Sequence, residues 1–194
     1  MTTGLLIVGL LILITIIGVA CKNNTKSAKE QNHIELKKTE VKENPYIGLR
    51  EQAMSVTSEQ LQLQLESTNE LYGIVMDWNM GDVVVTVVSF KTGDASVYLS
   101  TGQGFIGGFA HESVVNSAKN FIIVGEKYLS KAKKAEKTEP LNRIGVDFYF
   151  LTEAEKLYIE EEFSLIENNE SDFLELFEAA NKVITEYRLM TDKE

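Results

Sequence analysis

The chain is poor in the residues that build covalent or metal scaffolds. Its 194 residues include one cysteine, Cys21, and two histidines, His33 and His111. A single thiol excludes a disulfide within the chain and a cysteine-based zinc site. Two histidines exclude a His-rich metal site, and no cofactor signature stands in their place. Charge is missing from residues 1–21 altogether. Basic excess is missing from most of the rest: Pro45 to Glu194 carry 13 basic and 25 acidic side chains, a net of −12. Such a segment repels phosphate backbones, which argues against nucleic acid as a partner. Its acidity reads first as solubility.

What is present begins with Gly4–Ala20, GLLIVGLLILITIIGVA, seventeen residues without a charge. As a helix rising about 1.5 Å per residue it reaches about 25 Å, the short end of a membrane span. Three readings compete. A cleaved secretory signal needs a basic start, and Met1-Thr2-Thr3-Gly4 has none. A lipoprotein signal needs a small-residue box before a lipidated cysteine; Val19-Ala20-Cys21 supplies its end, but Gly18 stands where a large apolar residue is usual. An uncleaved helix needs nothing more than what is there, and the flanks favour it. Lys22, Lys26 and Lys29 follow the run and no basic residue precedes it, so the positive-inside rule places the C-terminal side in the cytoplasm. The expectation is a single-pass transmembrane helix over residues 1–21 that inserts through residues 4–20. The alternative is a cell-envelope lipoprotein lipidated at Cys21.

Residues 22–44 carry six Lys and four Glu and almost no large apolar side chain. They read as a charged flexible tether, with His33 in it. Residues 45–194 read as one folded domain, since 44% apolar and 25% charged residues over the chain suffice for a packed core and a water-facing surface. Tyr46–Leu65 reads as helical in pieces, with a restart at Thr57, whose capping partner would be Gln60. Leu71–Trp78, Val83–Phe90 and Ala95–Ser100 read as three strands of an antiparallel meander. Glu112–Lys137 reads as a long amphipathic helix, Gly145–Leu151 and Lys156–Glu160 as a hairpin, and Ser171–Arg188 as a closing helix. In the hairpin, Phe148 and Tyr149 alternate, so one is expected in the core and one outside. The fold class that follows is α+β, an antiparallel five-stranded sheet packed with helices.

That order of elements resembles roadblock/longin (profilin-like) domains. The resemblance implies a binding platform or dimerisation module, although fold alone does not dictate function. Asn44–Arg50 (NPYIGLR), Met76–Trp78 (MDW), Gly93–Tyr98 (GDASVY), the loop STGQGFIGG and His111–Val114 (HESV) are similar to an uncharacterised bacterial protein family. That similarity spans most of residues 44–190 and implies no activity.

Gly102, Gly104 and Gly107 spell G-x-G-x-x-G. A dinucleotide fingerprint belongs to a parallel βαβ unit with an acidic residue about 20 residues on. Here the preceding strand closes a meander, and the next strand comes too late. No Lys-Ser or Lys-Thr follows, so it is not a P-loop either. The plain reading of Gly102, Gly104, Gly107 and Gly108 is backbone geometry. The sharper one is a cradle for a small anion or peptide at the start of the Glu112 helix, with polar contacts from Ser100, Thr101 and His111. Asp77, Asp82 and Asp94 read as strand-end and turn residues rather than a catalytic pair. Glu160–Glu162 and Glu167–Glu170 match no calcium loop and read as a solvated edge. With no catalytic set, the expected function is a membrane-tethered, non-catalytic module that binds a protein partner or forms a homodimer. The alternative is a phosphate- or small-ligand-binding sensor or enzyme built on the Gly102–Gly108 loop.

Overall fold

The computed structural model describes residues 44–191, all within the unit Val41–Glu194. The expected membrane helix, the tether up to residue 43, Cys21 and His33 lie outside the described residues; Asn44, the last residue of the expected tether, lies within them. Among those described, no helix is long and apolar enough to cross a membrane.

The elements run α1 (Tyr46–Ser55), β1 (Gly73–Asn79), β2 (Val84–Phe90), β3 (Ala95–Leu99), β4 (Gly104–Ile106), α2 (Glu112–Glu126), β5 (Lys133–Lys134), β6 (Gly145–Leu151), β7 (Lys156–Glu161), α3 (Phe163–Glu167) and α4 (Leu174–Thr191). All strand pairs are antiparallel, in the order β4-β3-β2-β1-β6-β7-β5. The class is α+β as expected, but the sheet has seven strands rather than five. Both additional strands are sheet edges, three and two residues long. Neither is long enough to leave an alternating pattern in the sequence.

β5 lies inside the stretch that reads as one helix to Lys137. α2 ends at Glu126, where Lys127 and Tyr128 donate to the carbonyls of Val124 and Gly125 and tighten the chain into a short 3₁₀ turn at Leu129–Lys131. Leu129 and Ala132 still pack on the core, so apolar spacing continues after the helix has stopped. The expected restart at Thr57 also stops early. Its capping box forms, with Gln60 N–H donating to Thr57 Oγ1 at 3.2 Å and Thr57 N–H to Gln60 Oε1 at 2.9 Å. Gln62, at φ 55°, then turns the chain away after one turn.

The pleat gives the sheet two covered faces. Ile74, Met76, Val87, Val97, Phe148 and Phe150 face α2 and α4, where Phe121, Leu176 and Val183 meet them. Val75, Val88, Tyr98, Tyr149 and Leu151 face the other way, under Tyr46, Ala53 and Met54 of α1 and the segment that follows it. Phe148 and Tyr149 are therefore both buried, because a layer lies on each side of β6.

Candidate functional site

Two features of this fold stand out chemically: a row of charged groups under α1, and the open edge formed by the glycine loop.

The row is a product of strand register. Thr86 on β2, Asp77 on β1, Asp147 on β6 and Glu160 on β7 are successive cross-strand partners and so share the α1 face. Two arginines meet them. Arg50 stands one helical turn after Tyr46, so both point down from α1. Its side chain is 1% exposed, against 0% for that of Asp77. Nε and Nη2 of Arg50 donate to Asp77 Oδ2 at 2.8 and 2.5 Å, while Asp77 Oδ1 accepts from Thr86 Oγ1 at 2.6 Å. Nη1 donates to the Thr138 carbonyl at 2.6 Å and Nη2 to that of Glu139 at 3.4 Å. The Tyr46 hydroxyl bonds Thr86 at 2.9 Å, and the guanidinium lies 5.4 Å from the Tyr149 ring centre. Arg143, just before β6, donates to Asp147 Oδ1 at 2.5 Å and lies 3.7 Å from Glu160.

Burial pushes the Asp147 carboxyl up to about 6; Arg143 opposes this, and the charges of Asp77 and Glu160 add to it. Burial, with Asp147 and Asp77 nearby, pushes the Tyr149 hydroxyl up to about 12. The centre of the row is already engaged. Both Asp77 oxygens are occupied, and Arg50 makes four hydrogen bonds to neighbours. This is a clamp that joins α1, β1, β2 and residues 138–139. An open cleft of about 630 Å³, lined by Arg143, Ile144, Glu160 and Phe163 among others, begins only at the row's exposed end. Among the described residues, no group of three or more His, Cys, Asp or Glu could hold a metal ion.

Asp77 reads from sequence as a strand-end residue beside a turn; the structure buries it within β1. The signal was its setting. LYGIVMDW is an almost unbroken apolar run, the mark of a strand covered on both faces. A carboxylate there must have a partner. Nothing local names that partner as Arg50 or sets Asp147 opposite. Asp82 is exposed in its turn, and Asp94 accepts from Thr92 Oγ1 at 2.7 Å.

The glycine loop resolves into a hairpin turn, a strand and a helix start. Gly102 N–H donates to the Leu99 carbonyl and Leu99 N–H to that of Gln103, both at 2.8 Å. Ser100 Oγ accepts from Val84 N–H at 2.9 Å, and its carbonyl from Asn44 Nδ2 at 2.8 Å. Thr101 is exposed at the tip. Gly102 and Gly107 have φ of +93° and +84°, which favours glycine. Gly104 and Gly108 admit no side chain: a Cβ at Gly104 would lie 2.7 Å from the Val97 carbonyl, and one at Gly108 would strike Tyr187 and Val114. Gly108 N–H instead donates to the Tyr187 hydroxyl at 3.0 Å, which donates to the Ala95 carbonyl at 2.6 Å. His111 takes the N-cap position of α2 but makes no capping bond. Ser100, Thr101 and Gly102 thus gather at the hairpin. His111 starts a helix beyond β4, a strand about 10 Å long.

The two edges of the sheet differ. β5 is lysine, Lys133-Lys134, with Lys134 Nζ 3.2 Å from Glu155. β4 and the turn after it expose Phe105, Ile106 (66%) and Phe109 (70%). Charged side chains guard an edge against pairing, and apolar ones do not.

No protein-family model, curated protein or solved structure matches the chain.

Proposed function

We propose that the chain is a membrane-tethered, non-catalytic α+β module that binds a protein partner or a second copy of itself. The observation that carries this reading is the contrast between interior and edge. The buried charges are engaged with one another, whereas β4 and the turn after it offer Ile106 and Phe109 to whatever meets them. The resemblance in element order to roadblock/longin domains supports a platform or dimerisation role. The apolar run at residues 4–20 supports a membrane tether, and the lysines after it support a cytoplasmic domain. Lipidation at Cys21 is the alternative anchoring and would move the domain to the cell envelope.

The test is cross-linking of the full chain in cells, with and without Ile106→Asp and Phe109→Asp together. The wild type is expected to give a cross-linked species that the double variant loses. A wild type that stays a monomer without partner ends the reading. A reporter fused after Glu194, compared between wild type and Cys21→Ser, reads the anchoring. A cytoplasmic signal indifferent to the substitution supports an uncleaved helix; an external one with a Cys21-dependent size shift supports a lipoprotein.

A second reading places a phosphate-bearing ligand at Ser100, Thr101, Gly102, Gly104, Gly107, Gly108 and His111. It draws on the uncapped start of α2 at His111. Against it, the amides of Gly102 and Gly108 already have acceptors within the fold. Titration with inorganic phosphate and pyrophosphate tests it, and no binding at millimolar concentration ends it.

A further inference from the structure

Resting on the interaction-module reading, we propose that the occupant of the β4 edge is a second copy of this chain, paired strand to strand about a two-fold axis through Phe105. Among the described residues, β4 is the last strand of the sheet and pairs only with β3. The bond from Leu99 N–H to the Gln103 carbonyl sets the phase of the ladder. By alternation, the amide and carbonyl of Phe105 turn toward Val97, and those of Gly104 and Ile106 turn outward. An antiparallel strand is what these outward groups can meet. When that strand is β4 of another copy, Gly104 of each faces Ile106 of the other. Four backbone hydrogen bonds close the pair, and the two Phe105 side chains lie opposite each other. Each already stacks on Tyr187 of its own copy, ring centres 5.6 Å apart. The contact would run as one aromatic row, the kind of cross-strand pair that stabilises sheets.

Charge selects this occupant over others. Residues 45–194 carry a net −12, so two copies repel wherever their acidic surfaces meet. Ala95 to His111 contains no Asp, Glu, Lys or Arg, the longest such run in the domain. It is the place where like-charged copies can touch, and it has no charge by which to recruit an oppositely charged partner. A lipid surface fits less well. Hydrocarbon would satisfy the apolar side chains of Ile106 and Phe109 but leave the outward amides and carbonyls without partners.

Cys21 is the only cysteine, so a Cys21→Ser background makes thiol chemistry specific. In the full chain, Phe105→Cys puts one thiol at the two-fold axis. Antiparallel partners of the non-hydrogen-bonded kind have Cα atoms about 4.5 Å apart, within disulfide reach. Mild oxidation is expected to convert most of this variant to a disulfide dimer. Lys133→Cys, on the opposite edge, should stay monomeric. Equal dimer from both variants, or none from either, overturns the proposal. Because Phe105 supports Tyr187, a second variant guards against misfolding: Ile106→Lys, at an exposed position. Sedimentation of the full chain in detergent should show self-association weakened at least about tenfold. Unchanged self-association overturns the proposal. A photo-cross-linker at Ile106 separates the two failures. Capture of a different polypeptide without self-capture overturns the second copy and spares the interaction reading. Capture of lipid only, or of nothing, overturns both.

Discussion

The two faces of the sheet meet the same need for burial with different chemistry. Toward α2 and α4, the central strands present Ile74, Met76, Val87, Phe148 and Phe150 to other apolar side chains. Toward α1, the same strands set Asp77, Thr86 and Asp147 among Val75, Val88 and Tyr149. Apolar contact has no direction and tolerates repacking. A buried ion pair is directional, and removing one member strands the other. The first face holds the domain together. The second fixes where α1 and residues 138–139 sit on it.

The contrast can be broken most severely at Asp77. Asp77→Ala leaves Arg50 buried and unpaired, and chemical denaturation should show a loss of about 3–5 kcal/mol. Arg50→Met combined with Asp77→Leu should recover most of it. A double variant as unstable as the single would mean that the pair is more than a replaceable clamp. On the apolar face, Leu176→Ala should cost about 2–5 kcal/mol through lost burial and the cavity left behind. No second substitution at a distance should restore it.

Next in size is a pH effect confined to the polar face. Burial raises the folded Asp147 carboxyl from 3.8 to about 6. The folded protein therefore takes up a proton at a pH where the unfolded chain stays ionised. The ionised group is destabilising above pH 6, and this cost fades as pH falls through 6 and is gone below about 4. Its full size is on the order of 2–3 kcal/mol. The stability difference between Asp147→Asn and wild type should favour the variant at pH 8 and shrink steadily toward pH 4. A difference that does not change with pH would show that Asp147 titrates normally. The smallest effect is expected at Ser89, whose hydroxyl is buried on β2 without a partner among the described residues. Ser89→Ala should stabilise the domain by about 1 kcal/mol, read as a rise in Tm.

Much of the fold was legible because it rests on local pattern. β2 and β3 lie within one residue of the runs Val83–Phe90 and Ala95–Ser100, and β6 coincides with Gly145–Leu151. Gly81 and Gly93 stand in the expected turns with φ near +100°. Sequence and structure part where spacing alone is the guide. Leu129 and Ala132 prolong the rhythm of α2 past its end, and β4 hides in a loop that glycine makes look irregular. α1 has a weak amphipathic signature because its buried face includes Arg50.

The sequence by itself determined an α+β domain, its central strands, its acidic surface, the uncharged run from Ala95 to His111 and the apolar stretch at residues 4–20. These properties need only neighbours along the chain. Tertiary structure alone decided that Asp77 meets Arg50, that Asp147 stands across from it, and that β4 is an unguarded edge while β5 is a charged one. Each of these depends on how helix and strands assemble, which brings together residues 27 or 70 positions apart. Local periodicity sets which face a residue takes, and only the assembled sheet sets what it faces.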